Sequence, residues 1–229
     1  MKTLRVAATL SALLLSFSAL AEEQTRQTGD FQGISVGGGL KARVTVGPTS
    51  VRLSGDPQAL EHVQTEVEDG TLVVRSKRGG SWKGSSRVTL TVSSPRMTRV
   101  EATGGASVEA EATATPTFTL ESSGGSTVSV SGLDSTRVEV DASGGANVTL
   151  KGRADLLAAE ASGGCQVYGE ALSLKALEAE ASGGSEVRAN PTERVTAEAS
   201  GGSTVQVDSQ PAQRHVSISG GSKVRFPRP

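Results

Sequence analysis

Six acids recur at one position of a repeat: Glu101, Glu121, Asp141, Glu160, Glu180 and Glu198, with Ser217 in the seventh place. If the repeat stacks, these carboxylates form a ladder on one outward face, about 4.8 Å apart. Two unit charges at that distance repel by roughly 0.9 kcal/mol in pure water, and less in salt. Such a ladder calls for compensation. Ca²⁺ or another hard divalent cation would supply it through carboxylate oxygens, as would a basic partner or neighbouring Lys and Arg. The competing reading is a solvated face that keeps a flat sheet soluble and discourages edge aggregation. Calcium-binding nonapeptide repeats fit poorly, because the period is near twenty and the G-x-D spacing is missing.

A second candidate is the segment "RSKRGGSWKGSSR" (75–87), which gathers Arg75, Lys77, Arg78, Lys83 and Arg87 around Trp82 with no acid among them. Such a loop suits anionic glycans, lipid headgroups or an acidic protein. It also reads as an ordinary solvated connection between strands. A hydroxyl column, Thr103, Ser123, Ser143, Ser162, Ser182, Ser200 and Ser219, stands one residue before each Gly pair. It reads as structural, bonding to corner backbone or to stacked neighbours, because nothing places a general base beside it. His62 and His215 have no metal-ligand spacing. Cys165 occupies a column otherwise filled by Ala and Ser, which favours a small semi-buried role, or a link between two chains if it is exposed. No catalytic residues and no organic cofactor are indicated.

The elements that position these residues follow from the repeat. Gly-Gly pairs begin at 104, 124, 144, 163, 183, 201 and 220, a period of 18 to 20 residues. Such self-similarity marks a solenoid, whose units close their cores only by stacking. Within each unit the pattern alternates with period two, which excludes helical repeats. Four residues after the first Gly stands Val in every unit, from Val108 to Val224. Two residues further are Ala110, Val130, Leu150, Gly169, Ala189, Val207 and Phe226. The fourth residue before the pair runs Val100, Leu120, Val140, Ala159, Ala179, Ala197, Val216, and the second before it Ala102, Ser122, Ala142, Ala161, Ala181, Ala199, Ile218. Strand geometry sends these columns to one face as a stacked core. The Gly pair forms the corner, since glycine reaches positive φ without steric penalty. Seven coils would stand roughly 30 Å tall.

Before Val100 the chain is less regular yet strand-like, in "KARVTVG", "VRLSG", "GTLVVRSK" and "RVTLTVSSP". "DPQALEHV" (56–63) predicts one helical turn with Asp56 as N-cap and Pro57 at the first helical position. The expected organisation is a signal peptide at 1–21, a flexible mature N-terminus at 22–30, and a single β-helix domain at 31–229. Within that domain, 31–99 forms less regular coils and a cap, and 100–229 the regular coils.

The signal reading rests on Lys2 and Arg5, an apolar stretch from Val6 to about Leu20, and the small residues Ala19 and Ala21 before Glu22. The apolar stretch is short for a bilayer span, and no later run is long enough, so no transmembrane segment is expected after cleavage. The chain should be exported, to the periplasm or beyond the cell. Residues 22–229 hold 21 basic and 24 acidic residues, a balance that does not suggest nucleic-acid binding. A single Cys excludes an internal disulfide. With four Phe, one Trp and one Tyr, the core must be thin and built from small aliphatic side chains.

The stretch "FQGISVGGGLKARVTVGPTSVRLSGDPQALEHVQTEVEDGTLVVRSK", then "VTLTVSSPRMTRVEATGGASV", then the "SGG" repeats, closely resembles the head GIN domain of auto-transporter adhesins, over about 31–226. The resemblance implies a right-handed, single-stranded parallel β-helix of about 20 residues per coil in an exported bacterial protein. It brings no catalytic residues, and no translocator barrel is expected in this chain. The reading that follows is a non-enzymatic exported module with an adhesin-like binding or structural role at the cell envelope, meeting a glycan or protein surface. A cation-dependent module using the acid ladder is the alternative. A carbohydrate-active enzyme is the other, because polysaccharide lyases and hydrolases often use parallel β-helices; only Trp82 and Tyr168 could stack on sugar rings.

Overall fold

In the computed structural model the described residues are 22–77 and 88–228. The expected signal peptide therefore lies outside them. In chain order the first strands are β1 (Glu22–Arg26), β2 (Gly33–Val36), β3 (Lys41–Val46) and β4 (Ser50–Gly55), followed by the helix α1 (Pro57–Glu61). Then come β5 (Val63–Glu68), β6 (Thr71–Ser76), β7 (Thr89–Ser94), β8 (Arg99–Ala102), β9 (Ser107–Glu111) and β10 (Thr115–Ser122). Four long strands follow: β11 (Thr127–Ala142), β12 (Asn147–Ala161), β13 (Gln166–Ala181) and β14 (Glu186–Ala199). The chain closes with β15 (Thr204–Val207), β16 (Gln213–Ile218) and β17 (Lys223–Arg225).

Parallel pairing joins the repeats in register, Val128 on Val148 on Val167 on Val187 on Val205 on Val224. The other run stacks Leu120 on Val140, Ala159, Ala179, Ala197 and Val216. The coils thus form the stacked parallel β-helix that the period implied. The core columns are buried almost without exposure until the last coil: Val108 is 1% exposed, while Val128, Val148, Val167, Val187 and Val205 are at 0%.

The Gly corner has two physical causes. Gly163 takes φ +82°, and a Cβ added there would sit 2.9 Å from the Gly144 carbonyl oxygen in the coil below. The same close approach recurs at Gly220, where it would meet the Gly201 nitrogen at 2.9 Å. Backbone rests on backbone at this edge, as in the 2.6 Å bond from the Gly164 N–H to the Gly144 carbonyl. Only a residue without a side chain fits.

The region before Val100 departs from simple sequential stacking. β2 lies between β6 and β8, and β3 between β7 and β9, all in parallel. The first coil in sequence is therefore the second in space, slipped between the coil of β6 and β7 and the coil of β8 and β9. β5 closes one run antiparallel on β6, and β4 continues the other antiparallel on β7. The 22–30 segment, expected to be flexible, instead supplies β1 over Glu22–Arg26, antiparallel on β4 from Glu22↔Gly55 to Arg26↔Val51. Main-chain bonding at an otherwise open edge outweighs its polar composition. The predicted helical turn is α1. The Asp56 carboxylate accepts from the Gln58 N–H at 2.9 Å and the Ala59 N–H at 3.3 Å, and Ala59 and Leu60 bury against the end of the core.

Candidate functional site

The parallel register brings the acid ladder together as the sequence spacing demands: Glu101, Glu121, Asp141, Glu160, Glu180 and Glu198 occupy successive coils of one outward column. Its ends differ in charge. Arg99 reaches both Glu101 and Glu121, with its Nη2 at 2.5 and 2.7 Å from their carboxylates. Among the described residues no ion pair reaches Asp141, Glu160, Glu180 or Glu198. These four line a concavity of about 290 Å³ together with Ser162, Ser182, Ser200, Ser217 and Ser219. The strip thus combines carboxylates that make no ion pair among the described residues with a row of hydroxyls, and Arg137 borders it beside Asp141 and Glu160.

Among the described residues, no three acids, histidines or cysteines converge as a metal-ion site. The reason lies in the sheet: parallel register holds the carboxylates in a line rather than around a point. A hard cation that seeks six to eight oxygens would therefore find few of them from protein at any one place on the ladder.

The hydroxyl column expected to tie the corner together does so through backbone alone, as in the 2.9 Å bond from the Ser123 N–H to the Ala102 carbonyl. The side-chain bonding falls three residues later, inside the corner. Ser126, Ser185 and Ser203 donate their hydroxyls to Ala102, Ala161 and Ala181 carbonyls at 3.2, 2.9 and 2.9 Å. Cys165 belongs to this column. It is fully buried, and its thiol donates to the Ala142 carbonyl at 3.2 Å. Burial, with a smaller push from Asp141, raises its pKa above the ordinary thiol range. A disulfide to another chain is not open to a thiol so enclosed. The place expected for Cys165 among Ala and Ser was semi-buried; it is fully buried, because this column shares the inward face with the Val ladder.

Of the basic segment, Arg78, Trp82, Lys83 and Arg87 lie outside the described residues. Arg75 lies in β6, where β5 sets Glu66 and Glu68 opposite it at 3.2 and 3.6 Å. Lys77 follows β6 and donates its N–H to the His62 carbonyl at 2.8 Å. Arg75 is therefore charge-paired, which no local count of the segment revealed, because its partners come from the preceding strand.

A wider concavity, about 640 Å³, lies elsewhere, on the side where the long strands bend between their two runs. The sequence reading missed it, since no repeat column is uniform there. Its charges cancel in pairs: Arg153 grips Asp134 through two bonds of 2.6 and 2.7 Å, and Lys175 meets Asp155 at 2.7 Å. The hydrogen bond from Arg153 holds the Asp134 carboxyl below the usual carboxylate range, and the bond to Asp155 raises Lys175.

Fold and surface define a β-solenoid that offers ordered side-chain ladders. The chain belongs to the family described as "Putative auto-transporter adhesin, head GIN domain", whose profile matches residues 30–211. Among solved structures, a protein from Bacteroides fragilis described as "a putative adhesin" superposes with a TM-score of 0.81 at 20% identity, covering 92% of this chain and 98% of that one. A "putative lipid binding protein" from Parabacteroides distasonis gives 0.68 at 13% identity, with coverage of 92% and 98%. A "putative adhesin" from the same species gives 0.64 at 17%, covering 91% and 98%. At these identities the likeness establishes the fold. No curated protein gives a significant match. Among the described residues no helix is long and apolar enough to cross a membrane.

Proposed function

We propose that this protein is an exported, non-enzymatic, adhesin-like module that binds at the cell envelope through its acid-and-hydroxyl strip. One observation carries the reading: Asp141, Glu160, Glu180 and Glu198 stand in register beside a serine row with no basic partner among the described residues. Like charges held in line without an ion pair weaken the stack, so a binding role is a reason to keep them. Hydroxyls and carboxylates at regular spacing suit a repeating polar surface such as an envelope glycan. Membership of a family named for adhesin heads supports the same reading.

Hydrolysis of a sugar chain is less well supported. A glycosidase needs one carboxyl with a raised pKa facing a second across the scissile bond. In the 640 Å³ concavity Asp134 and Asp155 are each tied to a base, and the Asp134 pKa moves the opposite way.

The test is binding of the processed protein to immobilised envelope polysaccharide, with chelator and then with millimolar Ca²⁺. The comparison is a variant carrying Asp141→Asn, Glu160→Gln, Glu180→Gln and Glu198→Gln. Loss of binding in the variant by tenfold or more supports the strip. Loss in wild type with chelator would make the module cation-dependent. Equal binding by both proteins assigns the contact to another face.

A further inference from the structure

Among the described residues the two ends of the β-helix are both open edges, and their edge strands carry opposite charge. At one end, among the described residues, β5 pairs only with β6, and β1 only with β4. These edge strands carry Glu66 and Glu68, and Glu22 and Glu23, against one base, Arg26, whose guanidinium turns back to donate to the Leu60 carbonyl at 3.1 Å. At the other end β16 pairs only with β14, and β17 only with β15. From Ser209 to Arg228 the chain holds Arg214, His215, Lys223, Arg225 and Arg228 and no acid. The family match stops at 211, before these strands.

The basic end also exposes core. Val216 and Ile218 are 37% and 50% exposed, although their columns run at 3% or less from Val100 to Ala197 and from Ala102 to Ala199. Arg214 stacks over the Phe226 ring at 4.6 Å and covers part of what remains. An edge with unpaired main chain and open apolar columns favours another strand over a lipid surface, which offers no backbone partner.

We infer that this chain associates head to tail, the basic β16–β17 end of one copy docking on the acidic β5–β1 end of the next. The strand directions permit it. β5 and β16 close opposite ends of one run, so β16 would meet the next copy's β5 antiparallel, as β6 already does. β1 and β17 close the other run and point the same way, so they would pair in parallel, as most of the stack does. The acids are only loosely engaged at present: Glu66 and Glu68 share Arg75, and Glu23 meets Arg52 at 3.6 Å, all in exposed pairs that exchange readily. Two basic ends, by contrast, repel. Because the contact joins different surfaces and does not close on itself, it generates linear arrays.

Sedimentation of the processed full-length protein tests this across a concentration series. Wild type is expected to pass from monomer to dimer and longer species, receding as salt rises from about 0.05 M to about 0.5 M. Two charge-reversed variants separate the ends: Lys223→Glu with Arg225→Glu, and Glu23→Lys with Glu66→Lys and Glu68→Lys. Each alone should remain monomeric at concentrations where wild type associates, and an equimolar mixture should associate again. Thermal melts confirm that both variants fold, and an association-free mixture of folded variants overturns the inference. So does a wild type that stays monomeric throughout, which would leave an acidic strand from another protein as the occupant. Association of the Glu→Lys variant alone, as strong as wild type, would indicate contact between two basic ends and also overturns it.

Discussion

At the scale of single residues, the corner glycines are fixed by two demands at once. Gly163 needs positive φ and also lies against Gly144 backbone. Gly163→Ala is therefore expected to destabilise the fold by about 2 kcal/mol, read from urea denaturation, whereas a demand on φ alone would give less. The Asp134–Arg153 pair offers a pH test. Its carboxyl is depressed in the fold by the Arg153 hydrogen bond, so its stabilising contribution is present above the ordinary carboxylate range. It fades as pH falls through the lowered folded value. Arg153→Ala should move the Asp134 titration, followed by carboxyl NMR, back upward; an unmoved titration would discount the pair.

At the scale of elements, α1 is a single turn held by its cap and by Leu60. Asp56→Ala removes the acceptor for the Gln58 and Ala59 N–H groups and should cost about 1 kcal/mol in a denaturant melt. The helix and its cap were legible in "DPQALEHV" because capping is local chemistry. The acid ladder was legible for the same kind of reason, since a fixed period and parallel register translate directly into a column. Its electrostatics lead to a further expectation. Glu160→Gln with Glu180→Gln should raise the melting midpoint at low salt and matter progressively less as salt increases, because exposed charges are screened. A salt-independent effect would point to packing instead. The pairing of Arg75 with Glu66 and Glu68 was not legible, because it depends on β5 folding back antiparallel.

At the scale of the molecule, each regular coil contacts chiefly the coils beside it, so the stack should tolerate the loss of one unit. Deleting residues 144–162 joins Ser143 to Gly163 and preserves every core column. The shortened protein is expected to remain a cooperatively folding β-protein by circular dichroism, with a modest drop in midpoint. Loss of all structure would mean that the stack acts as a single indivisible unit. The end built from β1 to β7 is a different matter, since there the chain order and the spatial order part company.

The repeat period, the alternation and the Gly pairs sufficed to determine the β-helix, its core columns and the acid face, because each coil meets its neighbours in register and every column can be counted along the chain. The tertiary structure alone decided the rest. It threaded the β2–β3 coil between two later ones and recruited residues 22–26 as an edge strand. It also left Val216 and Ile218 open at the basic end. These outcomes depend on which strand finds a free edge, and a free edge is a property of the whole stack rather than of any segment.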